Sequence, residues 1–191
     1  MLKELRPAIL ITIVLTILTG IAYPLAMTGV GQALFHKQAN GSLIVRDGKV
    51  IGSEIIGQNF TKPEYFHPRP SQNMYDAANS GGSNLGPTNP ALADRLTKDA
   101  AAFRKDNPDF TGPIPADAIT ASASGLDPDI TPANASAQSA RVAKARGASL
   151  DAVQNLIAAN TQGRDLGVLG ESRVNVLKLN MALDSTLPAK K

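Results

Sequence analysis

Residues 122–131, SASGLDPDIT, bring hydroxyl and carboxylate side chains close together along the chain. Ser122 and Ser124 could act as nucleophiles, and a serine hydrolase would need a histidine base beside one of them. The pattern is not G-x-S-x-G, and the chain has two histidines, His36 and His67. His36 lies at the end of a long apolar segment, so His67 is the candidate base. A membrane-tethered hydrolase is therefore one alternative function.

The two aspartates in this segment resemble the beginning of a calcium-binding loop. A calcium ion takes six to eight oxygen ligands, and the Asp, Asn, Gly and closing Glu that would supply the others are missing here. A helix start explains the segment better, because Asp127, Asp129 and Thr131 can offer oxygens to the free N–H groups of a following helix. We therefore expect no metal site and no catalytic residue.

Two other segments have compositions that could bind a ligand. The Gly-rich residues 80–90, SGGSNLGPTNP, run into a helix start, but no Lys follows Gly86 to reach a phosphate. Residues 65–71, YFHPRPS, could bind a partner, although such a stiff run is more often a structural brace, with Arg69 bonding loop carbonyls. Glycosylation sequons, which would matter only in a glycosylating pathway, lie at Asn40, Asn59 and Asn134.

Composition narrows the classes of function. Aromatic residues make up 4% of the chain and Trp is absent, so an aromatic platform for stacking nucleic acid is hard to build. The net charge is +3, but the 19 Lys and Arg residues are scattered rather than grouped into a stripe. No cysteine is present, which excludes disulfides, thiolate catalysis and zinc–thiolate sites. We expect no nucleic-acid partner.

The elements that would position these residues follow a long apolar segment at the N-terminus. No charged residue occurs in residues 7–35, and as a helix the segment AILITIVLTILTGIAYPLAM would rise about 30 Å, the thickness of the hydrocarbon layer. Lys3 and Arg6 precede it with only Glu4 opposing, so the N-terminus should be cytoplasmic. We predict a cytoplasmic segment 1–7, a transmembrane helix 8–34 and an extracytoplasmic domain 35–191.

A cleaved signal peptide is the alternative to this anchor. Its apolar core normally has about 7 to 15 residues and ends in a small-x-small site. Gly20-Ile21-Ala22 fits such a site, but the apolar stretch continues past it. We therefore expect the span to remain uncut, and a secreted binding module is the function that cleavage would imply.

One face of the predicted transmembrane helix carries small residues at intervals of four. These are Ala8, Thr12, Thr16 and Gly20. Such a ridge lets two helix backbones approach closely in lipid, where hydrophobicity does not drive association. Chance is the other explanation, because threonine is common in membrane helices and can bond back to its own backbone. Thr12, Thr16 and Gly20 are the candidate partner-binding residues.

The remainder of the chain predicts an α+β domain rich in loops. Residues 43–56 should form a β-hairpin turning at Asp47-Gly48, and residues 58–90 a long loop. Helices should open at Asn89, Thr131 and Ser149, the second ending at Gly147. The alternation of apolar residues in 173–184 favours a strand, although Val174, Leu177 and Met181 also suit a helix. Residues 114–122 could contain another strand.

Six segments, in this order behind one N-terminal span, resemble a known family. They are GSEIIGQNF, YFHPRPS, SGGSNLGPTNP, SASGLDPDITP, RVAKARG and VNVLKLNMALD. On these motifs the chain is similar, from about Leu5 to Asp184, to the C subunit of the Kdp potassium-transporting ATPase, the KdpC family.

The resemblance implies a non-catalytic accessory subunit of a bacterial inner-membrane complex that imports potassium with ATP. Its implied partners are a channel-like potassium subunit, a P-type ATPase subunit and a small membrane peptide. ATP and potassium would be handled by those subunits, with no cofactor bound by this chain. The family's C subunit is also described as a chaperone that raises the ATPase subunit's affinity for ATP.

Gln138 matches the family glutamine suggested to contact nucleotide, whereas Asp129 stands where many relatives have His. The charge asymmetry around the span places Gln138 outside the cytoplasm, away from cellular ATP. From the residues themselves we therefore expect a stabilising role that requires no bound nucleotide.

Overall fold

The computed structural model describes residues 2–189, which divide into two compact units. The first unit extends to Ile51 and the second begins at Gly52. The fold is α+β, with one N-terminal helix long and apolar enough to span a membrane, as predicted. The predicted ranges 1–7, 8–34 and 35–191 stay a prediction, and residue 1 and residues 190–191 lie outside the described part.

The first unit is dominated by a nearly continuous helix. It consists of α1 (Leu2–Ile17), a π-helical turn (Leu18–Ala22) and α2 (Tyr23–Leu34), and it is followed by the short α3 (His36–Ala39). Lys3–Leu34 is the candidate span among the described residues. Its 32 residues rise about 48 Å, more than the hydrocarbon layer of about 30 Å, so part of the helix must lie beyond that layer or the helix must tilt.

The π turn has a chemical cause in the sequence. Pro24 has no N–H to donate to the carbonyl of Gly20, which interrupts the regular helical ladder. One residue earlier, the Tyr23 N–H bonds the Leu18 carbonyl, five residues back, instead of the usual four. The extra residue widens the helix locally, and Gly20 lies inside this widened turn.

The predicted hairpin is confirmed. Strands β1 (Leu43–Arg46) and β2 (Lys49–Ser53) form a two-stranded sheet. Asp47 and Gly48, the turn residues, have φ of 51° and 73°. This left-handed pair is typical of a type I′ turn, whose twist matches that of the two strands. The predicted loop follows, because residues 54–89 contain no helix or strand.

The second unit packs four helices around a small antiparallel sheet. Its elements are α4 (Pro90–Asp106), β3 (Asp129–Ile130), α5 (Pro132–Arg146), α6 (Leu150–Ala159), β4 (Thr161–Gln162), β5 (Arg173–Asn175) and α7 (Val176–Thr186). The strand order is β3-β5-β4, with Ile130 and Thr161 both opposite Val174. The core is built mainly from α5, α6, α7 and β5, and its largest buried side chain is Phe66 from the long loop.

Side-chain caps open the three predicted helices. Asn89 accepts a hydrogen bond from the Ala91 N–H, Thr131 accepts one from Asn134, and Ser149 one from Ala152. Gly147 ends α5 in the left-handed conformation, with φ of 62°. The sequence predicts these helix ends because each capping interaction acts within about four residues of the chain.

Two predicted strands are wrong. The strand predicted for 173–184 is limited to Arg173–Asn175, after which the chain turns into α7. Asn175 accepts from the Lys178 N–H and so starts the helix, which buries Leu179 and Leu183 on one side. The other predicted strand, within 114–122, is instead a 3₁₀ turn over Ala116–Ala118.

Candidate functional site

The segment PEYFHPRPS, residues 63–71, is a strap that begins in a turn and continues without helix or strand, and side chains of α5 and α7 hold it. Phe66 is completely buried in the core. The strap has no strand partner for its backbone, so its N–H and carbonyl groups must find other hydrogen bonds. Side chains supply them, and Arg141, Arg146 and Asn180 among these belong to the motifs RVAKARG and VNVLKLNMALD.

Two carboxamides pair with consecutive residues of the strap. Asn180 accepts from the Phe66 N–H at 2.8 Å and donates to the Phe66 carbonyl at 3.0 Å. Gln138 accepts from the His67 N–H at 2.7 Å and donates to the His67 carbonyl at 3.0 Å. Consecutive residues of an extended chain point their backbone groups to opposite sides. The two amides therefore replace neighbouring strands, one on each side.

The guanidinium of Arg141, on α5, holds the other end of the strap. Its Nη1 donates to the carbonyls of Pro63 and Tyr65 at 2.8 and 2.9 Å. Its Nε donates to Asn107 Oδ1 at 3.0 Å, and Nη2 donates to Gln138 Oε1 at 2.7 Å. Burial lowers the pKa of Arg141 to about 10, so the group still carries its charge at neutral pH. Because this buried cation is bonded mainly to neutral oxygens, it stabilises the strap only while every acceptor is in place.

Arg146, five residues further along α5, also binds the strap through its guanidinium. It donates through Nε to the Glu64 carbonyl at 2.7 Å and through Nη1 to the Leu187 carbonyl at 2.8 Å. Its Nη2 forms a salt bridge with Asp184 at 2.9 Å, and its guanidinium lies 5.0 Å from the centre of the Tyr65 ring. Arg146 thus joins the strap to the end of α7.

The environment of His67 defines its tautomer. Nε2 lies 3.1 Å from the Lys62 carbonyl and 3.2 Å from Arg141 Nη1. Both Nη1 protons of Arg141 already go to other carbonyls, so the proton on Nε2 must donate to Lys62. Burial, and then the charge of Arg141, lower the pKa of His67 below its usual value. The ring is therefore a neutral structural group near pH 7.

The serines of the opening motif bond to their own turn. Ser122 Oγ accepts from the N–H groups of Ser124 and Gly125 at 3.1 and 3.2 Å, and it lies 2.9 Å from Ser124 Oγ. Within residues 2–189, no hydrogen bond joins His67 to either serine. The pairing that a hydrolase would need is therefore not formed in this structure.

Neither aspartate of the opening motif caps α5, which corrects the sequence-based interpretation. Asp127 accepts from Arg69 Nη1 at 2.7 Å, and Asp129 lies 3.6 Å from Arg173 Nε. Arg69 was expected to bond loop carbonyls and instead pairs with this carboxylate. Burial, and then the charge of Asp127, raise the pKa of Asp129. Among the described residues, no group of three His, Cys, Asp or Glu is placed to hold a metal ion.

The cap of α5 includes a residue that sequence reasoning missed. Asp117 accepts from the N–H of Thr131 at 2.8 Å, from its hydroxyl at 2.9 Å, and from Asn134 Nδ2 at 3.0 Å. Asp117 lies in the 3₁₀ turn, far from the helix along the chain, so no local pattern could assign it. Asn134 is fully buried, so its sequon is not accessible for glycosylation in this fold.

The Gly-rich segment is likewise occupied by contacts within the fold. Gly81 donates its N–H to the Ser124 carbonyl at 2.8 Å, and the Ser80 hydroxyl donates to the same oxygen at 2.9 Å. A Cβ at Gly82 would lie 3.0 Å from the Ala123 carbonyl oxygen. The segment packs against the serine turn, and Gly82 permits that close approach because it has no Cβ.

An open cleft of about 350 Å³ lies beside Gln138, between the strap and α4. Its charged lining consists of the carboxylates of Asp99 and Asp106 and the guanidinium of Arg69, which is paired with Asp127, so the cleft carries no excess positive charge for a polyphosphate. The Gln138 amide has no free position to offer. Besides its bonds to His67, it donates to Asn134 Oδ1 at 2.9 Å and accepts from Arg141. A carboxamide has two protons and two lone pairs, and all four are used.

The small residues of the membrane helix lie on its exposed surface. Ala8, Thr12 and Thr16 fall in α1, and Gly20 falls in the π turn. A Cβ added to Gly20 would lie 4.0 Å from Thr16 Cγ2, so these two positions are adjacent on one face. The Thr12 hydroxyl donates to the Ala8 carbonyl at 2.8 Å, which satisfies it within its own helix.

Comparison with known proteins agrees with the motifs. Residues 5–185 match the family described as KdpC, K+-transporting ATPase, c chain. The chain is 56% identical to a potassium-transporting ATPase KdpC subunit of Bradyrhizobium diazoefficiens, covering 96% of this chain and 98% of that protein. The KdpC subunit of Burkholderia vietnamiensis is 59% identical over 95% of each chain, and that of Rhodopseudomonas palustris is 54% identical over 98% of this chain and 100% of that protein. The predicted resemblance is confirmed: the chain belongs to the KdpC family of K+-transporting ATPase c chains.

Proposed function

We propose that the chain is a non-catalytic accessory subunit that stabilises an ATP-driven, high-affinity potassium import complex of the bacterial inner membrane. Its partners are a channel-like subunit, a P-type ATPase subunit and a small membrane peptide, and the partners handle ATP and potassium. The observation that carries the proposal is the use of the motif side chains. The hydrogen-bonding groups of these side chains are satisfied within the fold, as at Gln138, Arg141, His67 and the serine turn. The subunit therefore acts through surface contacts with its partners.

Any effect of this subunit on ATP affinity is then indirect. The four hydrogen-bonding positions of Gln138 are occupied. The neighbouring cleft has two carboxylates, Asp99 and Asp106, and its guanidinium, Arg69, is already paired with Asp127. The subunit acts on the ATPase subunit by contact between proteins and does not itself hold the nucleotide.

The membrane helix anchors the subunit with its N-terminus in the cytoplasm and the rest of the chain in the periplasm. The charges at Lys3 and Arg6 support this orientation. The ridge at Thr12, Thr16 and Gly20 packs against a helix of a partner. A reporter enzyme fused after Leu187 should be active in the periplasm, and activity confined to the cytoplasm would contradict the orientation.

Purification of the tagged full chain from detergent-solubilised membranes tests the function. The channel-like and ATPase subunits should accompany it in constant ratio, and mass spectrometry would identify them. Recovery of the chain as a lone monomer that turns over a substrate would refute the accessory role.

A further inference from the structure

The loop between β4 and β5, residues 164–171 (RDLGVLGE), exposes an apolar tip that the fold itself does not use. Leu166 is 89% exposed, Val168 72% and Leu169 58%. Single exposed apolar residues are ordinary on a protein surface, but three large ones within four positions form a patch. None of the three belongs to the hydrophobic core.

This β4–β5 loop is closely bonded rather than loose. Asp165 and Leu169 exchange two backbone hydrogen bonds, at 2.8 and 2.9 Å. The Gly167 N–H donates to the Arg164 carbonyl at 3.1 Å. Leu166 has a φ of 54°, a conformation that non-glycine residues rarely adopt. The backbone bonds therefore hold Leu166 and Val168 in solvent on a defined turn, outside the hydrophobic core.

The charges at the base of the loop pair with one another. Arg164 contacts both carboxylate oxygens of Glu171, at 2.8 and 3.0 Å. Arg173 lies 3.5 Å from Asp165. Membrane-surface anchors combine apolar residues with an excess of Lys or Arg, which attracts anionic headgroups. Here two cations face two anions, so the base offers a lipid surface no net attraction.

We propose that the β4–β5 loop is a docking element that inserts Leu166 and Val168 into an apolar, uncharged socket on another protein subunit of the complex. The inference rests on the proposed accessory function, which requires partner proteins. The surface area that this loop could bury is smaller than the roughly 800 Å² that each partner buries in a standard protein–protein interface. It therefore acts as an anchor within a larger contact, the place where a few apolar residues dominate the affinity.

Photo-crosslinking of the full chain in membranes tests the partner. Benzoylphenylalanine replaces Leu166 in one variant and Met74 in the control, since Met74 has nearly the same exposure, 81%, and a φ of 53°. After illumination, position 166 should yield an adduct containing another subunit of the complex, identified by mass spectrometry, and position 74 should not. Adducts with lipid alone, adducts with a second copy of this chain, or a yield no greater than at position 74 would overturn the proposal.

A binding measurement supplies the second readout. Leu166→Ser should weaken reassociation of the purified chain with the remaining complex at least about tenfold, and Met74→Ser should leave it unchanged. Unfolding temperatures of both variants should match the unsubstituted chain, because both side chains face solvent. An equal effect of the two substitutions would overturn the proposal. If the unsubstituted chain brings its partners along but position 166 gives no adduct, the loop assignment fails and the accessory function stands. If no partner is recovered at all, both fail.

Discussion

The carboxamide of Asn180 bonds both backbone groups of Phe66, the N–H at 2.8 Å and the carbonyl at 3.0 Å, across 114 positions of sequence. Gln138 does the same for His67. Two amide side chains thus fix the strap between α5 and α7, and the family motifs YFHPRPS, RVAKARG and VNVLKLNMALD meet at one place. The motifs therefore build the fold of the second unit.

Asn180→Ala should lower the free energy of unfolding by about 3 kcal/mol, because it leaves a buried N–H and a buried carbonyl without partners. Chemical denaturation of the full chain in detergent, followed by circular dichroism, measures the change. Gln154→Ala, at an exposed position of α6, is the control and should change stability by less than about 0.5 kcal/mol. A loss at Asn180 no larger than this control would contradict the role of the amide.

Gln138→Ala separates a structural role from a nucleotide contact. We expect it to lower the unfolding free energy by about 2 to 4 kcal/mol in the absence of nucleotide, since the strap and Arg141 both lose a partner. Saturating ATP should leave the unfolding temperature of both forms unchanged, because a ligand stabilises only a state that binds it. ATP stabilising the unsubstituted chain but not the variant would support direct contact instead.

Arg141→Lys should be far more damaging than its conservative appearance suggests. A lysine ammonium cannot reach the acceptors on Pro63, Tyr65 and Asn107 that the planar guanidinium spans, so we expect a loss of about 3 kcal/mol. Arg104→Lys is the matched control, since Arg104 also donates to two carbonyls but is exposed. Arg104→Lys should lower the free energy of unfolding by less than about 1 kcal/mol. Similar losses at both positions would contradict the special role of Arg141 in holding the strap.

His67 should make the second unit sensitive to acid. Burial first, and the charge of Arg141 second, lower the pKa of His67 in the folded state. The folded chain then binds fewer protons than the unfolded chain, so stability is complete above the unfolded pKa of about 6.5 and is lost as pH falls through the folded pKa. Unfolding curves at pH 7.5, 6.5 and 5.5 measure this dependence.

His67→Gln should flatten that pH dependence, whereas His36→Gln, at an exposed position, should leave it intact. An unaltered slope in the His67 variant would show that other groups cause the acid sensitivity.

Replacing both Thr16 and Gly20 with leucine tests whether the small-residue ridge of the membrane helix is an interface. A Cβ at Gly20 meets only Thr16 Cγ2, at an ordinary 4.0 Å, so the chain itself tolerates the change. Recovery of the partner subunits from detergent should fall about threefold or more if a neighbouring backbone approaches here. Val14→Leu lies on the opposite side of α1 and should keep full recovery. Equal recovery from both variants would exclude the ridge as an interface.

Features that depend on a few neighbouring residues could be predicted from the sequence. The fold contains the predicted hairpin at Asp47-Gly48, the predicted caps at Asn89, Thr131 and Ser149, and the predicted α5 end at Gly147. Each of these signals is a backbone conformation or a cap within one turn of chain.

Features that join distant parts of the chain could not be predicted. α7 was predicted as a strand because its apolar residues alternate, and the buried position of Asn180 is explained only by the strap. Asp117 as a cap, and Arg69 paired with Asp127, also depend on tertiary contacts. These residues have no local signature, because their partners lie 14 positions away for Asp117, 58 for Arg69 and 114 for Asn180.

The strap is fastened by amides and guanidinium groups in a chain without a single cysteine. Its closure therefore needs no oxidising environment, and the second unit can reach the same fold in a reducing compartment. On either side of a membrane the second unit would reach the same fold, so its folding does not by itself fix the orientation of the chain.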